Sequence, residues 1–186
     1  MVKQKKQFFI VFLVLLIILV IYVILINHNK TVEKQEELQK EAETISIMNI
    51  NVEDIVSFSY NYDETTYSYT KTNETWIYDD DTSLDLNEAT IDDMLTTATN
   101  LTTQQSISDY DSLDAYGFLE PEKIITFETK TETYTLKIGA YNEIVGWYYL
   151  VKEGDSILYL VDSEILSAFD VIPQDFAVEE TEEDTE

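Results

Sequence analysis

The residues best suited to chemistry in this 186-residue chain are its carboxylates: 37 Asp and Glu, against 11 Lys, no Arg, one His and no Cys. Asp79-Asp80-Asp81-Thr82-Ser83-Leu84-Asp85 sets side-chain oxygens at alternate positions, as loops that wrap calcium do. An EF-hand counted from Asp79 needs Gly sixth and Glu twelfth and meets Leu84 and Thr90; counted from Asp81 it meets Leu86 and Asp92. The expectation is a solvated acidic loop with at most loose calcium association. Glycoside hydrolysis needs two carboxylates about 5–10 Å apart, but with so many acids, pairing in sequence carries no information. A Ser-His-Asp triad needs a His in the folded domain, and His28 lies ahead of it in a polar segment. Without Cys there is no thiol nucleophile, disulfide framework, zinc ribbon or iron–sulfur site. Four Gly in all (Gly117, Gly139, Gly146 and Gly154) leave no Gly-rich phosphate loop. A net charge of −26 without Arg excludes nucleic-acid phosphates as a partner. No catalytic, cofactor or metal residue is assigned, and an enzyme is not expected.

Aromatic residues offer a second kind of chemistry. Twelve of the thirteen Tyr follow residue 26, together with Trp76 and Trp147. Exposed rings would stack on wall sugars; their period-two spacing in strands instead favours core packing.

The elements that must position these groups begin with a membrane anchor. Phe8 to Ile26 is nineteen residues without a charge, Gly or Pro. At about 1.5 Å per residue it spans a hydrocarbon core of roughly 30 Å. Lys3, Lys5 and Lys6 precede it and the first acid is Glu33, so residues 1–7 are expected in the cytoplasm and the remainder outside. A cleaved signal peptide, the competing reading, has a shorter apolar core ending at a small-x-small site; the first Ala here is Ala42. The residues after Ile26 hold 8 Lys and all 37 acids, a balance of −29.

Residues 27–44 are rich in helix formers with few apolar positions, which predicts a solvated helical stalk. Residues 45–178 have the size of one domain. Residues 179–186 (EETEEDTE) carry six acids and read as a disordered tail.

Within the domain, Val56, Phe58, Tyr60 and Tyr62 alternate with Ser57, Ser59 and Asn61, the period of a half-buried strand. Turns at 63–66 and 72–74 make a three-stranded antiparallel meander ending at Tyr78. Ile91, Met94, Leu95, Ala98 and Leu101 predict a helix, with Glu88, Asp92 and Asp93 near its positive end. Ile125 and Phe127, then Tyr134, Leu136 and Ile138, predict a second hairpin. Gly146–Val151 and Ser156–Val161 are apolar throughout and read as central strands covered on both faces, joined through residues 152–155. Asp162 or Ser163 is expected to cap a short helix running to Phe169. Ile55-Val56-Ser57-Phe58 matches Ile124-Ile125-Thr126-Phe127 in pattern, as either an internal duplication or two amphipathic hairpins of ordinary likeness. The fold class is α+β, mainly antiparallel sheet with one longer and one or two short helices, after an N-terminal transmembrane helix.

Asp111-Ser112-Leu113-Asp114-Ala115-Tyr116-Gly117-Phe118-Leu119-Glu120-Pro121 is the most distinctive stretch. Asp111 is expected to cap one helical turn, Gly117 to end it left-handed and Pro121 to bar continuation, with Leu113, Tyr116 and Phe118 docking the corner on the core. This Leu-x-x-Tyr-Gly-Phe-x-x-Pro stretch resembles the signature of the bacterial domain-of-unknown-function family numbered 4340. Glu74–Tyr78, Leu136–Gly139, Gly146–Tyr149 and Leu158–Val161 resemble that family in the same order, so the likeness covers roughly residues 50–170. Phe118 stands where the family usually has Leu.

The resemblance implies a membrane-anchored, extracytoplasmic bacterial protein without known catalytic residues. Some members are similar in context to accessory parts of ABC transport systems of the gliding-motility type. The expected function is therefore a single-pass, outward-facing binding or assembly module with a membrane or cell-surface protein partner. It would dock through a sheet edge or acidic face. A binder of wall polymer or divalent cations is the alternative, and a hydrolase the remote one.

Overall fold

The computed structural model describes residues 44–178. The expected cytoplasmic residues 1–7, membrane segment 8–26, most of the 27–44 stalk and tail 179–186 lie outside the described residues. Among the described residues no helix is long and apolar enough to cross a membrane.

The frame is an eight-stranded, wholly antiparallel sheet. Its first three strands are β2 (Ile55–Tyr62), β3 (Thr65–Thr72) and β4 (Thr75–Tyr78), after a two-residue strand β1 (Ile45–Ser46). Two-residue turns join the three: Asp63 and Glu64, then Asn73 and Glu74, all take positive φ. That is the geometry whose twist matches the flanking strands, and Asp and Asn tolerate it better than most side chains. Helix α1 (Glu88–Thr99) follows, then β5 (Thr102–Thr103), which pairs with β1, and β6 (Gln105–Ile107). The second half runs β7 (Lys123–Thr129), β8 (Thr133–Asn142), β9 (Trp147–Lys152), β10 (Leu158–Val161) and α2 (Glu164–Ala168). The spatial order is β4-β3-β2-β7-β8-β9-β10-β6.

The two halves meet at the sheet centre. β2 and β7 pair antiparallel with Phe58 opposite Phe127, and each half then builds outward as a meander that ends in a helix. The matched sequence patterns of β2 and β7 thus lie on neighbouring antiparallel strands.

One apolar cluster joins this sheet to both helices. Phe58, Tyr60, Tyr69, Trp76, Ile125, Phe127, Leu136, Ile138 and Leu150 meet Ile91, Leu95 and Ala98 of α1 and Ile165 of α2 with Phe169 beyond it. Phe58 stacks on Tyr69 at 4.6 Å and meets Trp76 edge-on at 4.9 Å. Such pairs add about 0.5–1.5 kcal/mol beyond their buried area.

Three sequence expectations need correction. Ile55, not Val56, points into the core with Phe58 and Tyr60, because a bulge opposite Thr129–Glu128 inserts one residue and reverses the facing at that point. Ser112, not Asp111, caps the turn Leu113–Tyr116, its hydroxyl accepting from the Asp114 amide. β9 and β10 are not central: they lie toward the β6 edge, and the six residues of β9 are only partly buried outside Leu150 and Val151. β10 is buried along its whole length. The reason is a crossover. From β6 the chain must return to β7 at the sheet centre, and residues 108–122 pass over the face opposite the helices. There Tyr116 packs edge-on against Tyr149 at 4.8 Å.

Helix ends follow their sequence signals closely. Asn87 caps α1 by accepting from the Ala89 and Thr90 amides. Asp162 accepts from the Glu164 amide at the start of α2.

Candidate functional site

The acidic loop has its carboxylates turned to separate local tasks. Asp79 accepts from the Thr70 hydroxyl, Asp80 from the Tyr78 phenol, and Asp81 from the Ser83 amide and hydroxyl. The Ser83 bonds hold Asp81 below the usual carboxylate range, while burial and the Asp80 acceptor raise Tyr78. No group of three or more His, Cys, Asp or Glu side chains able to hold a metal occurs among the described residues. His28 lies outside them.

Most aromatic residues are structural. Trp76, Tyr60, Tyr69, Tyr78 and Tyr159 are buried. Burial pushes Tyr60 up to about 12 and Tyr69 higher still, and their hydroxyls meet at 3.4 Å. Tyr60 also donates to the Val171 carbonyl, tying the strand to the segment after α2. Tyr110, Tyr116 and Tyr149 are half-buried, but their rings meet edge to face, so they are turned into one another.

The sheet edges are short. β4 has four residues, and the amide of Trp76 is taken by the Glu88 carboxylate at 2.8 Å. β6 has three residues. Both carry little free backbone for strand addition.

Exposed apolar side chains are left. Seven large apolar residues stand exposed in the described chain, and five belong to the signature corner and the adjoining strands: Leu119, Ile124, Tyr141, Ile144 and Val145. Ile144 is 95% exposed and Leu119 74%. Ile144 and Val145 stand side by side at the tip of one turn, whereas Ile124 and Tyr141 face opposite sides of the sheet.

Local structure explains this placement. Asn142 accepts from the amides of Ile144 and Val145, and Gly146 (φ 77°) donates back to the Asn142 carbonyl, closing the β8–β9 turn with Ile144 at its tip. Tyr141 packs against its cross-strand neighbour Tyr148 at 5.0 Å. The corner is clamped to the same hairpin by two glycines. Gly117 is left-handed at φ 87°, and a Cβ there would lie 2.5 Å from the Ala140 amide nitrogen. A Cβ on Gly139 would strike the Tyr116 carbonyl and come within 3.0 Å of the Phe118 ring. The Tyr-Gly-Phe of the signature and the Gly of the β8 strand end are therefore two sides of one close contact.

The family model for a domain of unknown function, DUF4340, matches residues 76–181, more than half of the chain. The chain belongs to this family. The matched region starts later than residue 50 and runs past residue 170, so β2 and β3 precede it although they complete the DUF4340 core. No curated protein and no solved structure matches the chain.

Sequence reasoning missed two features of the DUF4340 region. Ile144 and Val145 sit between Asn142 and Gly146, a bracketing that signals a turn with apolar residues at its tip. Lys123 carries no signal of burial in the sequence, yet its side chain is 3% exposed. It donates to the Phe169 carbonyl at 2.8 Å and to Asp170 at 2.6 Å, and lies 4.8 Å from the centre of the Tyr62 ring. The role is structural: it ties β7 to the end of α2.

Proposed function

We propose that this chain is a membrane-anchored, extracytoplasmic binding or assembly module that acts through a protein partner, as an accessory to a transport system in the same membrane. The anchor is Phe8–Ile26, with Lys3, Lys5 and Lys6 on the cytoplasmic side. The observation that carries the binding role is the pair Ile144 and Val145, exposed side by side at the tip of the β8–β9 turn of an otherwise acidic domain. A sheet edge is the weaker candidate for contact, given the short β4 and β6 strands.

Two measurements test this reading. In intact cells, an added protease should cleave a tag at the C-terminus and spare one at the N-terminus. Crosslinking in the same cells, followed by mass spectrometry, should recover a discrete membrane or cell-surface protein. Reversed tag protection, or no partner above background, would sink it.

A further inference from the structure

Five Lys (Lys71, Lys123, Lys130, Lys137 and Lys152) serve 26 acids in the described domain. A lysine without a carboxylate partner is therefore unusual. Lys123 pairs with Asp170, Lys137 with Glu153 and Lys152 with Asp155. Lys71 and Lys130 form no ion pair among the described residues, and both line one cleft of about 740 Å³. Glu53, Asp54, Glu74 and Asp92 line it too. β2 runs between β3 and β7, so Lys71 near the end of β3 and Lys130 just past β7 flank the turn Val52–Asp54 that opens β2. Charges of both signs thus face one space, and no salt bridge closes across it. A second hollow of about 470 Å³ shares Glu53, Asp54 and Lys130, so the space exceeds a single amino acid.

Packing fixes part of this arrangement. The Lys71 ammonium lies 4.9 Å from the centre of the Trp76 ring, a cation–π distance. The indole N–H of the same ring donates to Asp92 at 3.3 Å. One buried ring therefore holds a cation and an anion of the cleft, and groups held in this way have less freedom to lose on binding.

The mixed lining discriminates among occupants. A free anion such as phosphate meets two lysines but also four carboxylates. A metal ion has no group of three acidic ligands and faces two ammonium groups. A polyamine satisfies the acids and is repelled by both lysines. A molecule that carries an ammonium and a carboxylate answers both signs at once, and each contact is a charge-assisted hydrogen bond. A short peptide with free ends is such a molecule.

We propose that this cleft binds a short zwitterionic peptide, its carboxylate against Lys71 and Lys130 and its ammonium group among Glu53, Asp54 and Glu74. The site is separate from the β8–β9 tip, so its failure leaves the protein-partner reading where it stands.

Trp76 supplies the test, because it contacts Lys71 and Asp92 from beneath the cleft. Trp147→Phe makes it the single Trp of the full-length chain, which is titrated in detergent with trialanine at millimolar concentration. Calorimetry on the unmutated chain runs in parallel. The expected result is a saturable change in Trp76 emission with a matching heat. Trialanine amide, which lacks the carboxylate, and N-acetyl-trialanine, which lacks the ammonium group, should each bind about tenfold more weakly. Lys71→Gln should weaken trialanine about tenfold and leave the amide unchanged, so that the two peptides bind alike. Lys130→Gln, at an exposed turn, should act in the same direction. The proposal is overturned if neither emission nor heat saturates, if the capped peptides bind as well as trialanine, or if both lysine variants still prefer trialanine to its amide by the original factor.

Discussion

Removing Asp170 should destabilise the domain more than removing the lysine it pairs with. Lys123 is almost wholly buried, whereas the Asp170 side chain is 45% exposed. Asp170→Ala leaves an ammonium group inside the protein with the Phe169 carbonyl and the face of Tyr62 as its only compensation. Stranding one charge of a buried pair costs about 3–5 kcal/mol, and the two remaining contacts bring this to about 2–4 kcal/mol. Lys123→Met keeps the length of the stem and deletes the charge. Asp170 then recovers water, and the loss reduces to a donor for the Phe169 carbonyl, about 1 kcal/mol. Removing the desolvation cost of the ammonium offsets part of it, so the net effect is about 0–1.5 kcal/mol. Urea unfolding of the full-length chain, followed by the fluorescence of Trp76 and Trp147, measures both variants at one slope. If Lys123→Met lowers stability more than Asp170→Ala, the ammonium is a net stabiliser in its burial site and the reasoning fails.

Gly117→Ala should cost about 2–4 kcal/mol, adding the left-handed penalty to a collision with Ala140. Gly154→Ala, equally left-handed at φ 91° but facing open space, should cost only about 1 kcal/mol, so equal losses in thermal unfolding would refute the clamp. At alkaline pH the buried phenols set the stability. Tyr60 and Tyr159 are raised to about 12 from 10.0, chiefly by burial, so the unfolded chain loses those protons first. The stability tied to them is therefore complete below pH 10 and is lost as pH rises through 12. Tyr60→Phe and Tyr159→Phe each remove one such proton, so circular dichroism should hold to higher pH than in the parent, and an unchanged alkaline midpoint in both would count against it. Ile144→Asp, at a 95% exposed tip, should leave unfolding within about 0.5 kcal/mol of the parent, which separates any loss of partner capture from misfolding.

Local alternation was enough to reveal the longer strands, though not the short β1, β5 and β6. Ile125 and Phe127 in β7, and Leu136 and Ile138 in β8, face the core as their period predicts. Helix α1 begins at Glu88 with Ile91, Leu95 and Ala98 inward, as its spacing predicts. The facing of Ile55 was not legible, since a bulge depends on the register with β7 and not on β2 alone. Nor was the position of β9 and β10, whose apolar faces suggested the sheet centre. The same composition arises beside an edge when a crossover covers the outer face, and no local pattern records that path. Lys123 was hidden for a similar reason: its partner lies 47 residues away, beyond four strands and a helix. Of the candidate site, the Tyr116-Gly117-Phe118 corner was visible as a motif. Its contact with Gly139 and the exposed tip beyond it required the fold.

The central pairing of β2 with β7 has a consequence for how the chain acquires its structure. β2, β3 and β4 are contiguous and close through two-residue turns, so this meander forms from local contacts. The partner of Phe58 is Phe127, about seventy residues later, so the middle of the sheet waits on a long loop closure. Until β7 is made, the inner edge of β2 has unsatisfied backbone groups and its aromatic face is without half its cover. A chain that emerges N-terminus first passes through this state every time. The interval between β2 and β7 is thus when the protein is most open to strand-mediated aggregation.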